Sequence, residues 1–202
     1  MFNQPLSRRD LLKAGAIGTA GLSALGNPLP LLAQAPKGIT GQAAPELAVP
    51  YWIDGEGKET SAFSIASNKG KWVILKCFQN WCPGCHSLGF PGLQKITAAL
   101  ENNDKVAIAA IQTTFEGFST NNQDALLKNQ RRYELSIPFG HDEGDASAAH
   151  GDRKRMPKTM LSYRTGGTPW FVVIDPRGRV VYNHFHVDSD RLIEILKKET
   201  SA

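Results

Sequence analysis

Trp72-Val73-Ile74-Leu75-Lys76-Cys77-Phe78-Gln79-Asn80-Trp81-Cys82-Pro83-Gly84-Cys85 is the stretch on which the fold of this chain turns. Its first seven residues are nearly continuous apolar sequence rich in β-formers, the signature of a strand buried on both faces. The strand runs directly into Cys82-Pro83-Gly84-Cys85. After it, Leu88, Leu93, Ile96, Ala99 and Leu100 recur at helical spacing. They predict a helix to about Glu101, kinked at Pro91. A Cys-x-x-Cys therefore stands where a strand becomes a helix. The free N–H groups and the dipole at a helix start favour a thiolate, which suits Cys82 to attack disulfides. Cys85, one turn inside, can reach back and resolve the mixed disulfide. Pro83 fits the first helical turn, where its missing N–H would be unsatisfied anyway.

Upstream, Pro36, Pro45 and Pro50 mark an extended segment over 36–50. Tyr51 to Asp54, Gly55-Glu56-Gly57-Lys58 and Ser61 to Ile65 read as a hairpin, and Asn68-Lys69-Gly70-Lys71 as a turn. Downstream, Asn102-Asn103-Asp104-Lys105 is a turn and Val106 to Ile111 a second buried strand. Gln123 to Tyr133 reads as a helix capped by Asn121 or Asn122. Ser136 to Phe139 reads as a short strand, and residues 140–166 are polar, Gly-rich and without a period. Trp170 to Ile174, Asp175-Pro176-Arg177-Gly178 and Arg179 to Phe185 form a hairpin signal. Ser189 to Lys198 closes the chain as an amphipathic helix. Strands that alternate with helices and end in a hairpin predict an α/β fold, a mixed central sheet flanked by helices in one domain.

The chain has 202 residues, 41 % hydrophobic and 21 % charged, with 3 Cys. That excludes a collagen, a coiled coil, a disulfide-dense miniprotein and a wholly disordered chain. The net charge is +4. Arg8, Arg9, Lys13 and Asp10 place half of that excess in residues 1–35, so the argument for nucleic-acid binding loses its main support. Ser7-Arg8-Arg9-Asp10-Leu11-Leu12-Lys13, followed by a Gly/Ala-rich apolar run, reads as a bacterial twin-arginine export signal. An amphipathic helix or a membrane anchor is the alternative. Ala33-Gln34-Ala35 offers a small-x-small cleavage site, with Pro36 beyond it and later cleavage to about Ala44 open. The domains are then a leader over 1–35 and a folded domain over 45–200, located in the periplasm, or membrane-anchored if the leader stays uncleaved. With the leader cleaved, no stable membrane span remains.

The dithiol has other readings. Cys77 and the five histidines offer further ligands for a zinc site, although no second Cys pair exists. A static disulfide between Cys82 and Cys85 is another reading, although so short a loop is strained and reducible. Cys77 itself reads as a buried, inert small hydrophobe, with a third redox thiol as the alternative.

These residues resemble the thioredoxin superfamily, in particular its exported TlpA-like/redoxin (AhpC/TSA-like) branch. The matching stretches are Gly70 to Leu75, Asn80 to Cys85 and Gly167-Thr168-Pro169-Trp170 through Val181, so that the resemblance spans roughly residues 45–200. It implies a thioredoxin-like fold with an N-terminal hairpin and an insertion before a cis-Pro loop. It also implies a periplasmic thiol–disulfide oxidoreductase in which Cys82 and Cys85 form the redox-active disulfide. Trp81, Pro83, Thr168 and Pro169 would shape the substrate groove, with Pro169 cis against the dithiol and Thr168 backbone exposed to a substrate strand. No cofactor and no metal are implied. The partners would be protein thiols and disulfides, together with a membrane or periplasmic redox partner. Two departures stand out. Leu88 occupies the position where TlpA-like proteins of cytochrome c maturation carry a glutamate, so no acidic group there can buffer the dithiol's protons. The segment 140–166 reads as an insertion carrying Arg153, Lys154, Arg155, Lys158 and Arg164, either a solvated loop or a surface for an acidic partner. Two alternative functions remain. A thiol peroxidase would want Thr or Ser where Gln79 stands. A copper-delivery protein would use Cys82, Cys85 and a histidine such as His184 or His186, but its relatives space the cysteines by three residues.

Overall fold

The computed structural model describes residues 37–201; the expected leader over 1–35 lies outside the described residues. Six strands form one mixed sheet: β1 (Tyr51–Ile53), β2 (Trp72–Phe78), β3 (Val106–Thr114), β4 (Phe139–Glu143), β5 (Trp170–Ile174) and β6 (Val180–His184). Their order is β1-β4-β3-β2-β5-β6. β3 runs parallel to β2 and β4; the β1–β4, β2–β5 and β5–β6 pairs are antiparallel. The central place of β2 explains its unbroken apolar run, because a strand paired on both edges and covered on both faces has no solvent side. All seven of its residues are buried.

The pleat of β2 sorts its side chains into two cores. Val73, Leu75 and Cys77 join Trp170, Val172, Tyr163 and the N-terminal residues Ile39, Leu47 and Val49 on one face. Ile74 and Phe78 point to the other, under the helices. There lie α1 (Phe90–Leu100), α2 (Gln123–Arg132) and α4 (Ser189–Thr200), through Phe90, Leu93 and Ile96, Leu126, and Leu192 and Leu196. Each such side chain contributes about 1.5–3 kcal/mol by leaving water. α3 (Lys158–Ser162) is short and is fastened to β4 by the buried Asp142 carboxylate, which accepts from the N–H groups of Thr159 at 2.7 Å and Lys158 at 3.3 Å.

Asn122, not Asn121, caps α2 by accepting from Ala125 N–H at 2.9 Å. The Asp175 carboxylate organises the β5–β6 turn by accepting from the N–H groups of Arg177 and Arg179. The helix irregularity expected at Pro91 is a π turn, Cys85–Gly89, in which Phe90 N–H bonds to Cys85 O. Widening the turn just before a proline accommodates a ring that would crowd the carbonyl four residues back.

Three expectations are corrected. The N-terminal hairpin has only one true strand. Ile53 and Glu59 make a single bridge and Thr60 N–H bonds to Trp52 O, after which the chain leaves the sheet edge. Phe63 then stacks on Trp52 at 5.8 Å, drawing residues 61–65 over the sheet face, and β1 pairs with β4 instead. The short strand expected over Ser136 to Phe139 lies at 139–143, because Pro138 has no N–H to give a ladder. Gly140 fits there because a Cβ would meet the Trp52 ring at 2.9 Å. The segment 140–166 is therefore no plain insertion loop: it holds β4, a 3-10 turn at Arg153–Arg155 and α3.

Candidate functional site

Cys82 ends the loop after β2, and the helical turns that lead into α1 begin at the next residue. Its side chain takes the place of a capping oxygen: Cys85 N–H points at Cys82 Sγ at 3.4 Å and bonds to Cys82 O at 3.0 Å. An N–H donor and the positive end of the helix thus face this sulfur. From the other side Cys82 S–H donates to Thr168 O at 3.4 Å. The Thr168–Pro169 peptide is cis, as the resemblance implied, and Pro169 packs against Gly84 and Gly89. The structure therefore brings Cys82, Pro83, Gly84, Cys85, Thr168 and Pro169 together from two segments that are 86 residues apart at the Cys82–Thr168 contact.

Cys82 is 6 % exposed and Cys85 fully buried. Burial pushes the Cys85 thiol up to about 11, against the pull of the nearby Lys76 amine and Gln79 backbone. Around this recessed pair stand Trp81 and Leu88, 48 % and 63 % exposed, the large apolar side chains most open to water among the described residues. A recessed dithiol ringed by apolar surface suits a polypeptide that lays an apolar segment across it.

The loop is braced by a network that sequence reasoning missed. Trp81 Nε1 donates to Gln79 Oε1 at 3.0 Å, and Asn121 Nδ2 donates to the same oxygen at 3.3 Å. Asn121 Oδ1 accepts from Asn80 N–H at 2.6 Å. His86 Nε2 donates to Asn80 O while its Nδ1 pairs with the Tyr133 hydroxyl at 2.6 Å. Burial pushes the Tyr133 hydroxyl up. The Asn121-Asn122 pair was legible only as a choice of cap; that one caps and the other holds the site depends on contacts about 40 residues away.

Lys76 was also missed. It lies fully buried on the helix-side face of β2, between Ile74 and Phe78. The available signal was a lysine inside an otherwise apolar run. Cys77 points to the opposite face, among Leu75, Ile111, Tyr163 and Trp170. Burial pushes its thiol up to about 12.

The alternative chemistries find less support. Among the described residues no three His, Cys, Asp or Glu side chains are placed to hold a metal ion. His184 stacks on Trp170 at 5.9 Å, and His86 is engaged by Asn80 and Tyr133. The Gln79 carboxamide oxygen, at the position where a peroxidase would want a hydroxyl, is committed to Trp81 and Asn121. Among the described residues no helix is long and apolar enough to cross a membrane. Of the basic residues in 140–166, Arg155 is turned onto its own loop, donating to Ala146 O and Ala148 O and lying 4.7 Å over Phe118.

The chain is similar to solved structures over most of its length. A thioredoxin-like superfamily protein is 30 % identical, with 78 % of this chain and 95 % of that one covered at a TM-score of 0.65. A thiol-disulfide isomerase from Corynebacterium glutamicum is 28 % identical, with 79 % and 97 % covered at 0.64. The thioredoxin domain of a thiol-disulfide oxidoreductase from Bacteroides vulgatus, at 22 % identity, 80 % and 98 % coverage and 0.53, shares the fold. No curated protein sequence matches. The six-stranded sheet with its flanking helices is a thioredoxin-like fold. The AhpC/TSA family matches residues 40–183, from the segment before β1 through the dithiol and the cis-proline turn into β6, and the chain belongs to that family.

Proposed function

We propose that this protein is a thiol–disulfide oxidoreductase that exchanges disulfides with protein substrates through Cys82 and Cys85. The observation that carries the reading is the setting of the Cys82 sulfur, held between Cys85 N–H and Thr168 O at 3.4 Å each, beside exposed Trp81 and Leu88. Cys82 Sγ attacks a substrate disulfide and the first substrate sulfur leaves as a thiolate. Cys85 Sγ then attacks Cys82 Sγ, the Cys82–substrate bond breaks, and the second sulfur leaves. Two electrons pass from the dithiol to the substrate; the reverse sequence oxidises a substrate dithiol. The Thr168 backbone and the Trp81 ring offer the substrate a polar rung and an apolar platform. The similarity to a solved thiol-disulfide isomerase at 28 % identity supports the assignment.

On this reading the exchange takes place in the periplasm, after export on the twin-arginine leader, with a membrane or periplasmic redox partner restoring the dithiol. A Cys85→Ala variant expressed with its leader is expected to hold protein substrates as mixed disulfides on Cys82, released by reductant. Absence of any trapped protein in the periplasm overturns the reading. N-terminal sequencing of the exported form is expected to begin between residues 36 and 45; finding Met1 there removes the cleavage proposal.

A further inference from the structure

Lys76 is fully buried, yet its Nζ has no hydrogen-bond partner among the described residues. It lies 4.3 Å from the centroid of Phe90 and 5.6 Å from those of Phe78 and Phe171. Above it, Gly89 makes the room: a Cβ there would lie 2.9 Å from Lys76 Nζ and 3.0 Å from Pro169 Cβ. Gly89 stands one helical turn beyond Cys85, at the end of the π turn that Cys85 opens. The amine therefore occupies an aromatic box directly under the turn that carries the resolving thiol, closed on one side by the cis proline. Full burial without a hydrogen-bond partner penalises an ammonium there, a cost that the ring faces offset only in part. Burial pushes the Lys76 ammonium towards its neutral form, and the charges of Cys85, Cys77 and Cys82, in that order, favour the protonated form. Burial thus lowers the lysine and raises the thiol carried on the turn above it, bringing their proton affinities towards each other, so that a proton passes between them at a smaller cost than between exposed groups.

We infer that Lys76 is the internal proton acceptor for Cys85 in the resolving step, an inference that rests on the dithiol exchange proposed above. The Cys85 proton passes to Lys76 Nζ, and the Cys85 thiolate attacks Cys82 Sγ. The Cys82–Cys85 bond forms and the Cys82–substrate bond breaks. The outgoing substrate thiolate takes up one proton, and Lys76, with no thiolate left to pair with, gives up the one it received. The dithiol loses two electrons and the substrate disulfide gains two.

The test follows the Cys82 mixed disulfide formed with oxidised glutathione, by rapid quench and intact mass, in wild type and Lys76→Met. Methionine keeps the length and removes the amine. The mixed disulfide is expected to live on the order of 10²-fold longer in the variant at pH 7. The difference is expected to close as pH rises towards the Cys85 range near 11. Its thermal midpoint should equal or exceed that of wild type, since a buried amine is replaced by an apolar group. Equal lifetimes with equal pH profiles overturn the inference and leave the proposed exchange standing. Failure of wild type to form and resolve the mixed disulfide overturns both. Nitrogen-15 titration of Lys76 in wild type serves as a second measurement that does not depend on the variant folding: its midpoint is expected to fall when the dithiol is oxidised. An identical midpoint in both states overturns the inference.

Discussion

Cys77 and Cys85 are both fully buried thiols, pushed up to about 12 and about 11, and they lie on opposite faces of the same sheet. Burial alone makes them alike; their neighbours make them different. Cys77 sits next to the last residue of β2, opposite Trp170 on β5 and Ile111 on β3, among packed apolar side chains. Cys85 sits in the first turns of a helix, one turn from a sulfur that meets Thr168, and above an unpaired amine. On the proposed mechanism, what sets Cys85 apart from Cys77 is a second sulfur within reach and an amine beneath, since both thiols are equally buried.

The strongest way to break this contrast is Cys82→Ser. It is expected to abolish disulfide exchange, although Cys77 and Cys85 both remain, as measured by turnover of a peptide disulfide. Residual turnover would mean that one of the buried thiols attacks unaided. Cys77→Ser is expected to cost about 1–3 kcal/mol of folding stability through a hydroxyl placed among apolar neighbours, seen in denaturant melts, with the exchange rate unchanged. Alkylation of the native reduced protein should mark Cys82 first and Cys77 only on unfolding; equal labelling would make Cys77 a third redox thiol. The smallest effect concerns the segment covering the Cys77 face. Burial pushes the Glu46 carboxyl up, but donations from the N–H groups of Ile65, Ala66 and Leu47 and from the Ser64 hydroxyl outweigh it and hold it below its ordinary 4.5. A carboxyl depressed on folding stabilises above that value, and its contribution is lost as pH falls through the folded value. Glu46→Gln should therefore lower stability at neutral pH, converge with wild type in acid, and leave exchange untouched. A stability gap that persists at pH 3 would assign the effect to packing instead.

The elements that sequence could place were those whose cause is local. The apolar run of β2, the Cys82–Cys85 spacing, the Thr168-Pro169 turn and the Asp175 turn each carry their reason within a few residues. What escaped depends on partners far along the chain. β1 pairs with β4 because Phe63 folds back onto Trp52, and Gly140-His141-Asp142, poor strand formers, are held as a strand between β1 and β3. Lys76 escaped for a related reason. A lysine in a strand ordinarily marks an edge or a solvent face, and only the closing of α1 over β2 shows that this one has neither. The basic character of residues 140–166 likewise counted charges without showing that Arg155 spends its guanidinium on Ala146 and Ala148.

The π turn at Cys85–Gly89 sets the angular phase of the helix that follows. One residue of α-helix is about 100° of rotation, so a single extra residue in one turn reorients everything after it by about that amount. The dithiol end and the buried stripe of Leu93, Ile96 and Leu100 are thereby clocked separately: the stripe answers to the sheet, and the cysteines to Pro169 and the amine below. Removing one residue after Cys85 in that turn would keep the Cys-x-x-Cys intact while pointing the dithiol away from its own proline.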